Sequence, residues 1–505
     1  MIKLSSAQVV GLHAKPITIE VDLSPGLHIF SIVGLADKEI QESRERIGSA
    51  VKHVGARPPH KESQRVIINL APADLKKEGP AFDVPIALGF LLASGQTQFA
   101  PEKKMFIGEL GLDGAIKPVK GALPIAVSAK KLGFNTIFLP KGNGAEASLI
   151  EGVTIFEVEH LKELLGVLEG TATKEPYSAP AWNTEEKEWD YDLVHIRGQE
   201  AAKRALEIAA AGGHNLLFEG PPGTGKTILA KALPSILPAM TRDEIIEVTS
   251  IYSVAGLLKD MDSCIRERPF RNPHHTASSV AITGGGASLR PGEMTLAHRG
   301  VLFLDEFPEF QRPVMEALRQ PLEDKTITVA RAQGAISFPA SFIFIATMNP
   351  CPCGNYRNPK KDCACSPGAI GKYRKKISGP ILDRIDMCLE VPHIEYEKLE
   401  GAPDGKTSKE VRVSTESARA RQKERFAGTT ILTNSEMGLK DIKKFCTIAP
   451  DVQKTLERAY HQHNMSPRAY FRTIKTARTI ADLEGHEEIL VSDVAEALQY
   501  RPRQD

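Results

Sequence analysis

The stretch HNLLFEGPPGTGKTILAKAL, residues 214–233, constrains this chain more than any other. An apolar run leads into Gly220-Pro221-Pro222-Gly223-Thr224-Gly225-Lys226-Thr227 and then into a helical pattern. That spacing and context define a phosphate-binding P-loop. Glycines let backbone N–H groups approach phosphate oxygens, and the following helix N-terminus favours their negative charge. Lys226 is placed to reach the β- and γ-phosphates of ATP, and Thr227 to bind Mg²⁺.

Four later stretches complete a hydrolytic set. GVLFLDEFPEF (300–310) reads as a buried parallel strand ending in Asp305, which would hold Mg²⁺, and Glu306, which would polarise the attacking water. SFIFIATMNP (341–350) is a strand ending at Asn349, whose amide can orient that water and sense the γ-phosphate. SGPILDRIDMCLEV (378–391) sets Arg384 between Asp383 and Asp386, either salt-bridged in place or serving as an arginine finger in a neighbouring subunit. NMSPRAYFRTIKTARTIADLEG (464–485) opens a helix at Ser466-Pro467, with Arg468 in its first turn, where a lid helix would offer it to the γ-phosphate.

A chain of 505 residues exceeds one core, so several domains are expected. Residues 1–170 alternate strand and helix signals: strands at 17–23, 27–33 and 65–72, an amphipathic helix over 37–55, a buried helix over 82–95, and a hairpin over 105–119 turning at Asp113-Gly114. Residues 171–191, rich in Pro, Ser, Thr and acid, read as a linker. The ATPase block is placed at 192–395 and a helical domain at 396–505. Net charge is +1, so contact with nucleic acid must come from local patches. No apolar run approaches 18 residues, no signal-peptide pattern opens the chain, and no membrane is expected. Seven cysteines, four of them clustered, argue against a secreted disulfide framework, and a cytoplasmic protein is expected.

The clustered cysteines lie in NPCPCGNYRNPKKDCACS (349–366). Cys351, Cys353, Cys363 and Cys365 form two C-x-C pairs, a natural four-thiolate set for structural Zn²⁺. A metal would fold a loop too polar to bury its own core. Free thiols and a redox pair are the alternatives. The basic stretch Lys360, Lys361, Lys372, Tyr373, Arg374, Lys375 and Lys376 could meet DNA or form a solvated face. His274-His275 is a poor metal pair, because adjacent side chains on a strand point apart.

Together these motifs resemble the AAA+ ATPases, and more closely the magnesium-chelatase ATPase-subunit group and its ComM/YifB family. The resemblance rests on RPFRNPHHTAS (268–278), GGGASLRPGEMTLAHRGVLFLDEFPEF (284–310), PLEDKTITVARAQGAISFPASFIFIATMNPCPCG (321–354) and the Arg468 stretch. It implies a ring, hexameric by expectation, with ATP between subunits, acting as a DNA helicase in branch migration during natural transformation or homologous recombination. Two segments look like family insertions that would face DNA in the pore: 265–298, with Arg268, Arg271, His274, His275, Arg290 and His298 and Arg299 just beyond, and the hairpin 326–338, with Arg331 and Gln333. Residues 75–95 and 108–133 resemble the Lon protease domain, a fold shared with domain 2 of ribosomal protein S5. Ala81 stands where Lon has its serine and Leu123 where it has its lysine, and nearby Lys120 makes no dyad, so this domain is expected to be non-catalytic. The competing reading is a chelatase-type or protein-remodelling ATPase without a DNA substrate.

Overall fold

Alternating apolar residues near the N-terminus build a seven-stranded sheet. Its order is Ile29–Val33, Gln64–Ala71, His13–Pro25, Ile2–Val10, Lys104–Phe106, Thr136–Pro140, Thr154–Val158. Ile19 stands opposite Leu4 on one side and Leu70 on the other, and all three are buried, so the period-two pattern fixes the register. The computed structural model describes every residue except 27–28, 60–63, 179–188, 259–263, 287–289, 332–333, 359–360, 395–404 and 502–505. Two compact units emerge, Met1–Thr184 with Thr241–Arg266, and Glu185–Met240 with Glu267–Asp505.

In the first unit, helix Lys38–His53 is capped by Asp37, whose carboxylate accepts from Ile40 N at 2.8 Å. Helix Asp83–Ala93 is apolar all round and buried along its first nine residues. Its one charge, Asp83, accepts from Arg46 Nε at 2.6 Å and from the Ser43 hydroxyl, as a buried carboxylate must. The Asp113-Gly114 turn closes with Gly111 N donating to Ala115 O at 2.7 Å. Leu123, expected at the place of Lon's lysine, is buried and its N–H donates to Glu146 at 3.1 Å. Residues 241–266, which the sequence places in the ATPase block, cluster with this unit instead. Their helix Arg242–Ala255 starts on a Thr241/Glu244 capping box. Ile246 and Cys264 join the apolar cluster around Met105, Ile125 and Ile137, and Arg242 donates to Leu149 O at 3.0 Å.

The second unit has a five-stranded sheet ordered Phe270–Arg271, Val301–Leu304, Ile343–Met348, Leu216–Glu219, Met387–Glu390. Every pairing is parallel. The three central strands are almost entirely buried, as a sheet covered on both faces requires. The Ile343–Met348 strand lies between the two that carry the P-loop and Asp305, so three motif-bearing C-termini stand side by side. Sites in open α/β sheets form at that edge. Helices Ser408–Arg425, Leu439–Phe445, Pro450–Gln462, Pro467–Glu484 and Val491–Gln499 follow. The first is tied to the P-loop helix Lys226–Ile236 by Thr415 Oγ1 donating to Ile236 O at 2.8 Å. Among the described residues, no helix is long and apolar enough to cross a membrane.

Candidate nucleotide site and cysteine cluster

The P-loop follows strand Leu216–Glu219, and Gly220 stands where only glycine fits. A Cβ there would lie 2.3 Å from Val391 O. Gly223 and Gly225 take left-handed backbone, with open space beside each, a conformation glycine adopts without strain. Thr224 Oγ1 donates to Pro221 O at 3.0 Å. Lys226 is buried, and its ammonium donates to Gly220 O at 2.5 Å and Pro221 O at 2.7 Å and lies 3.3 Å from Asn349 Oδ1. Burial brings its pKa down to about 8, opposed by the carboxylates of Asp305, Glu306 and Glu219.

Thr227 Oγ1 donates to Asp305 Oδ2 at 2.9 Å, which joins the two expected Mg²⁺ ligands at the strand edge. The other Asp305 oxygen accepts from the buried Thr347 hydroxyl. That hydroxyl also accepts from Glu306 N at 3.0 Å. Glu306 has φ of +53°, a left-handed conformation costing about 1–2 kcal/mol in a non-glycine residue. The Thr347 bond holds it there, with its carboxylate turned to solvent. Thr347 was not singled out in the sequence, although its place two residues before Asn349 put it at the same strand end.

Arg384 and Arg468, 84 positions apart, meet on one carboxylate: both pair with Glu323. Arg384 also donates to Pro380 O at 2.7 Å. Among the described residues, neither hydrogen-bonds to Lys226, Thr227, Asp305 or Glu306. Arg472, one turn beyond Arg468 on helix Pro467–Glu484, donates to the carbonyls of Leu382 and Ile385 on either side of Arg384. Glu323 and Arg472 carried no motif signal.

The four cysteine sulfurs lie within 4.8 Å of one another. Cys351 Sγ is 3.4 Å from Cys353 Sγ and 3.6 Å from Cys363 Sγ, and Cys353 and Cys363 are 3.6 Å apart. Tetrahedral zinc with bonds of ~2.3 Å needs sulfurs about 3.8 Å apart, so the set fits that ion. Backbone N–H groups support it. Tyr356 N donates to Cys351 Sγ at 3.3 Å, and the Asn355 N–H holds the Cys353 thiol down to about 6.

Several expectations need correction. Residues 272–277 form a loop and turn rather than a strand, and the His274 and His275 rings lie 4.1 Å apart, tilted by 33°. His275 Nδ1 stands 3.9 Å from Glu306 Oε2. Arg268 is spent on the carbonyls of Pro238 and Arg299, each at 2.7 Å. Arg271 is paired with Glu293. His298 is a core histidine accepting from Ser341 N at 3.1 Å. These three are structural, whereas His274 and Arg290 are exposed. Strands Thr326–Arg331 and Gly334–Pro339 do form the expected hairpin, but Gln333 lies outside the described residues. Lys360 also lies outside them. Tyr373 is buried, which removes the aromatic from the basic run.

A parallel sheet carrying these motifs at adjacent strand ends defines a P-loop nucleotide-binding protein. Comparison with known proteins narrows this. Residues 192–399 match the family described as magnesium chelatase, subunit ChlI, residues 19–143 match subunit ChlI of Mg-chelatase, and residues 405–501 match its C-terminal part. The competence protein ComM of Haemophilus influenzae is 42% identical over 97% of this chain and 96% of its own length. YifB of Escherichia coli is 40% identical over 97% and 95%. Lon protease 1 of Bacillus subtilis is 28% identical over 158 residues, 30% of this chain and 20% of that one. The chain belongs to the ComM/YifB family of magnesium-chelatase-like AAA+ proteins.

Proposed function

We propose that this protein is an ATP-hydrolysing, ring-forming motor acting on DNA, a helicase promoting branch migration in transformation or homologous recombination. The observation that carries the ATPase reading is the convergence of Lys226, Thr227, Asp305, Glu306 and Asn349 on one sheet edge. Gly220 to Thr227 would cradle the phosphates, with Lys226 on the β- and γ-phosphates and Thr227 and Asp305 holding Mg²⁺. Mg²⁺ supplies charge neutralisation during phosphoryl transfer. Glu306 takes the proton of the attacking water, and Asn349 orients that water. Arg384, which shares Glu323 with Arg468, acts as an arginine finger at the neighbouring subunit's site, and Arg468 is offered to the γ-phosphate by the lid helix. The first unit is read as a non-catalytic Lon-type domain, since Ala81 offers no nucleophile. The cysteine cluster is read as a structural zinc site.

The DNA substrate rests on the relative's printed name, a competence protein, and on family membership. A second reading, a chelatase-type or protein-remodelling ATPase, is favoured by the family descriptions, which name a chelatase subunit. Steady-state ATP hydrolysis without DNA, with single strands, with duplex and with a four-way junction separates them, using Glu306→Gln as background. Stimulation by junctions or single strands supports the motor. Equal rates in all four conditions would remove DNA and favour protein remodelling.

A further inference from the structure

The cysteine loop does not stand apart from the nucleotide site. It begins at Cys351, two residues after Asn349, whose Oδ1 lies 3.3 Å from Lys226 Nζ. Gly354, next to Cys353, closes a turn by donating to Cys351 O at 3.0 Å. Its left-handed backbone turns a bare Cα onto the P-loop, where a Cβ would lie 2.6 Å from Pro222 Cδ. Close backbone approach of this kind is a role only glycine fills. A second contact runs through Tyr356. Its ring lies 5.7 Å from the Arg374 guanidinium, and Arg374 Nη2 donates to Glu219 Oε1 at 2.7 Å. Glu219 is the residue before Gly220. The loop therefore touches the P-loop at Pro222 and reaches the residue before it, Glu219, through Arg374.

We infer that the zinc-filled cysteine cluster is a positioning element of the nucleotide site, and that nucleotide affinity depends on its metal. This rests on the zinc reading given above. The stretch between Cys353 and Cys363 is polar and short, and among its described residues no buried hydrophobic side chain holds Gly354 and Tyr356 in place. Four thiolates on one ion fix that shape, and the shape is what meets Pro222 and Arg374. Without the ion, the wall behind the P-loop loses its anchor. The loop then samples conformations in which its N–H groups no longer converge. Nucleotide binding must then order the loop, and that cost, which a preorganised loop avoids, lowers affinity.

The test uses the full chain. Zinc content is measured by inductively coupled plasma mass spectrometry, and affinity by titration with a fluorescent ADP analogue. Circular dichroism checks folding. Wild type is expected to carry one zinc and to bind the analogue. The Cys363→Ser/Cys365→Ser variant, altered at the pair farther in sequence from Asn349, should lose zinc and bind about tenfold or more weakly with unchanged helix content. Gly354→Ala should keep its zinc and still bind several-fold more weakly, because it breaks the contact and leaves the ligands intact. A folded, zinc-free cysteine variant with wild-type affinity would overturn the proposal while sparing the zinc reading. Wild type that takes up no zinc would overturn both. Zinc-loaded wild type that binds no nucleotide would overturn the ATPase reading, and this proposal with it.

Discussion

Lys226 is the residue whose surroundings make the sharpest claim. Its ammonium is buried against two P-loop carbonyls, and burial brings its pKa down to about 8. Because this value is depressed, the folded protein binds fewer protons than the unfolded chain between about pH 8 and the usual lysine range. Lys226 therefore disfavours the folded state most below pH 8, and that cost is relieved as pH rises. Phosphate binding runs the other way, since it needs the cation. Affinity for ADP is expected to fall as pH rises through 8, and Lys226→Met should bind weakly with a flat profile, which a fluorescence titration from pH 7 to 9.5 reads directly. Glu306 yields a second outcome. Glu306→Gln should retain nucleotide and lose hydrolysis by about 10²–10⁴-fold, the range for a missing general base. Thr347→Val removes the hydroxyl that bonds both Asp305 and Glu306 N, and should lower kcat with little change in KM.

At the scale of elements, helix Pro467–Glu484 presents two arginines with different work. Arg468 shares Glu323 with Arg384, and Arg472 clamps the carbonyls flanking Arg384. Arg472→Ala should lower kcat about tenfold with helix content preserved, because the segment carrying Arg384 loses its anchor. Wild-type kcat in that variant would mean the segment is held by something else. What could be read from the chain follows from locality. The P-loop, the strands ending in Asp305 and in Asn349, and the Ser466-Pro467 helix start are short motifs whose chemistry lies within a few residues, so spacing alone carried them. Glu323 is one carboxylate among many in the sequence, and only the fold brings both arginines to it. Helix Arg242–Ala255 went unremarked in the sequence, and an apolar stripe does not say which core it joins. For the same reason Arg268 and Arg271 looked available for DNA. A basic side chain in a loop reads alike whether it meets phosphate or a carbonyl of its own chain.

Across the whole molecule, the proposal requires that each site be finished by a neighbouring subunit, and that can be measured without knowing the ring size. Arg384→Ala lacks the arginine it would lend but keeps its own Glu306. Glu306→Gln has the opposite defect. Alone, each variant should be nearly inactive in ATP hydrolysis. Mixed in equal amounts and allowed to exchange, some interfaces pair an intact Glu306 with an intact Arg384, and random assembly makes these roughly a quarter of the total. Recovery of hydrolysis toward that fraction would place Arg384 in trans. The same mixing with Arg468→Ala in place of Arg384→Ala asks whether the arginines that share Glu323 also share a destination. If both pairs recover, they leave that carboxylate for the same phosphate. If the Arg384→Ala mixture recovers and the Arg468→Ala mixture does not, Arg468 works on its own subunit's nucleotide, and its place beside Glu323 is one it must leave during turnover.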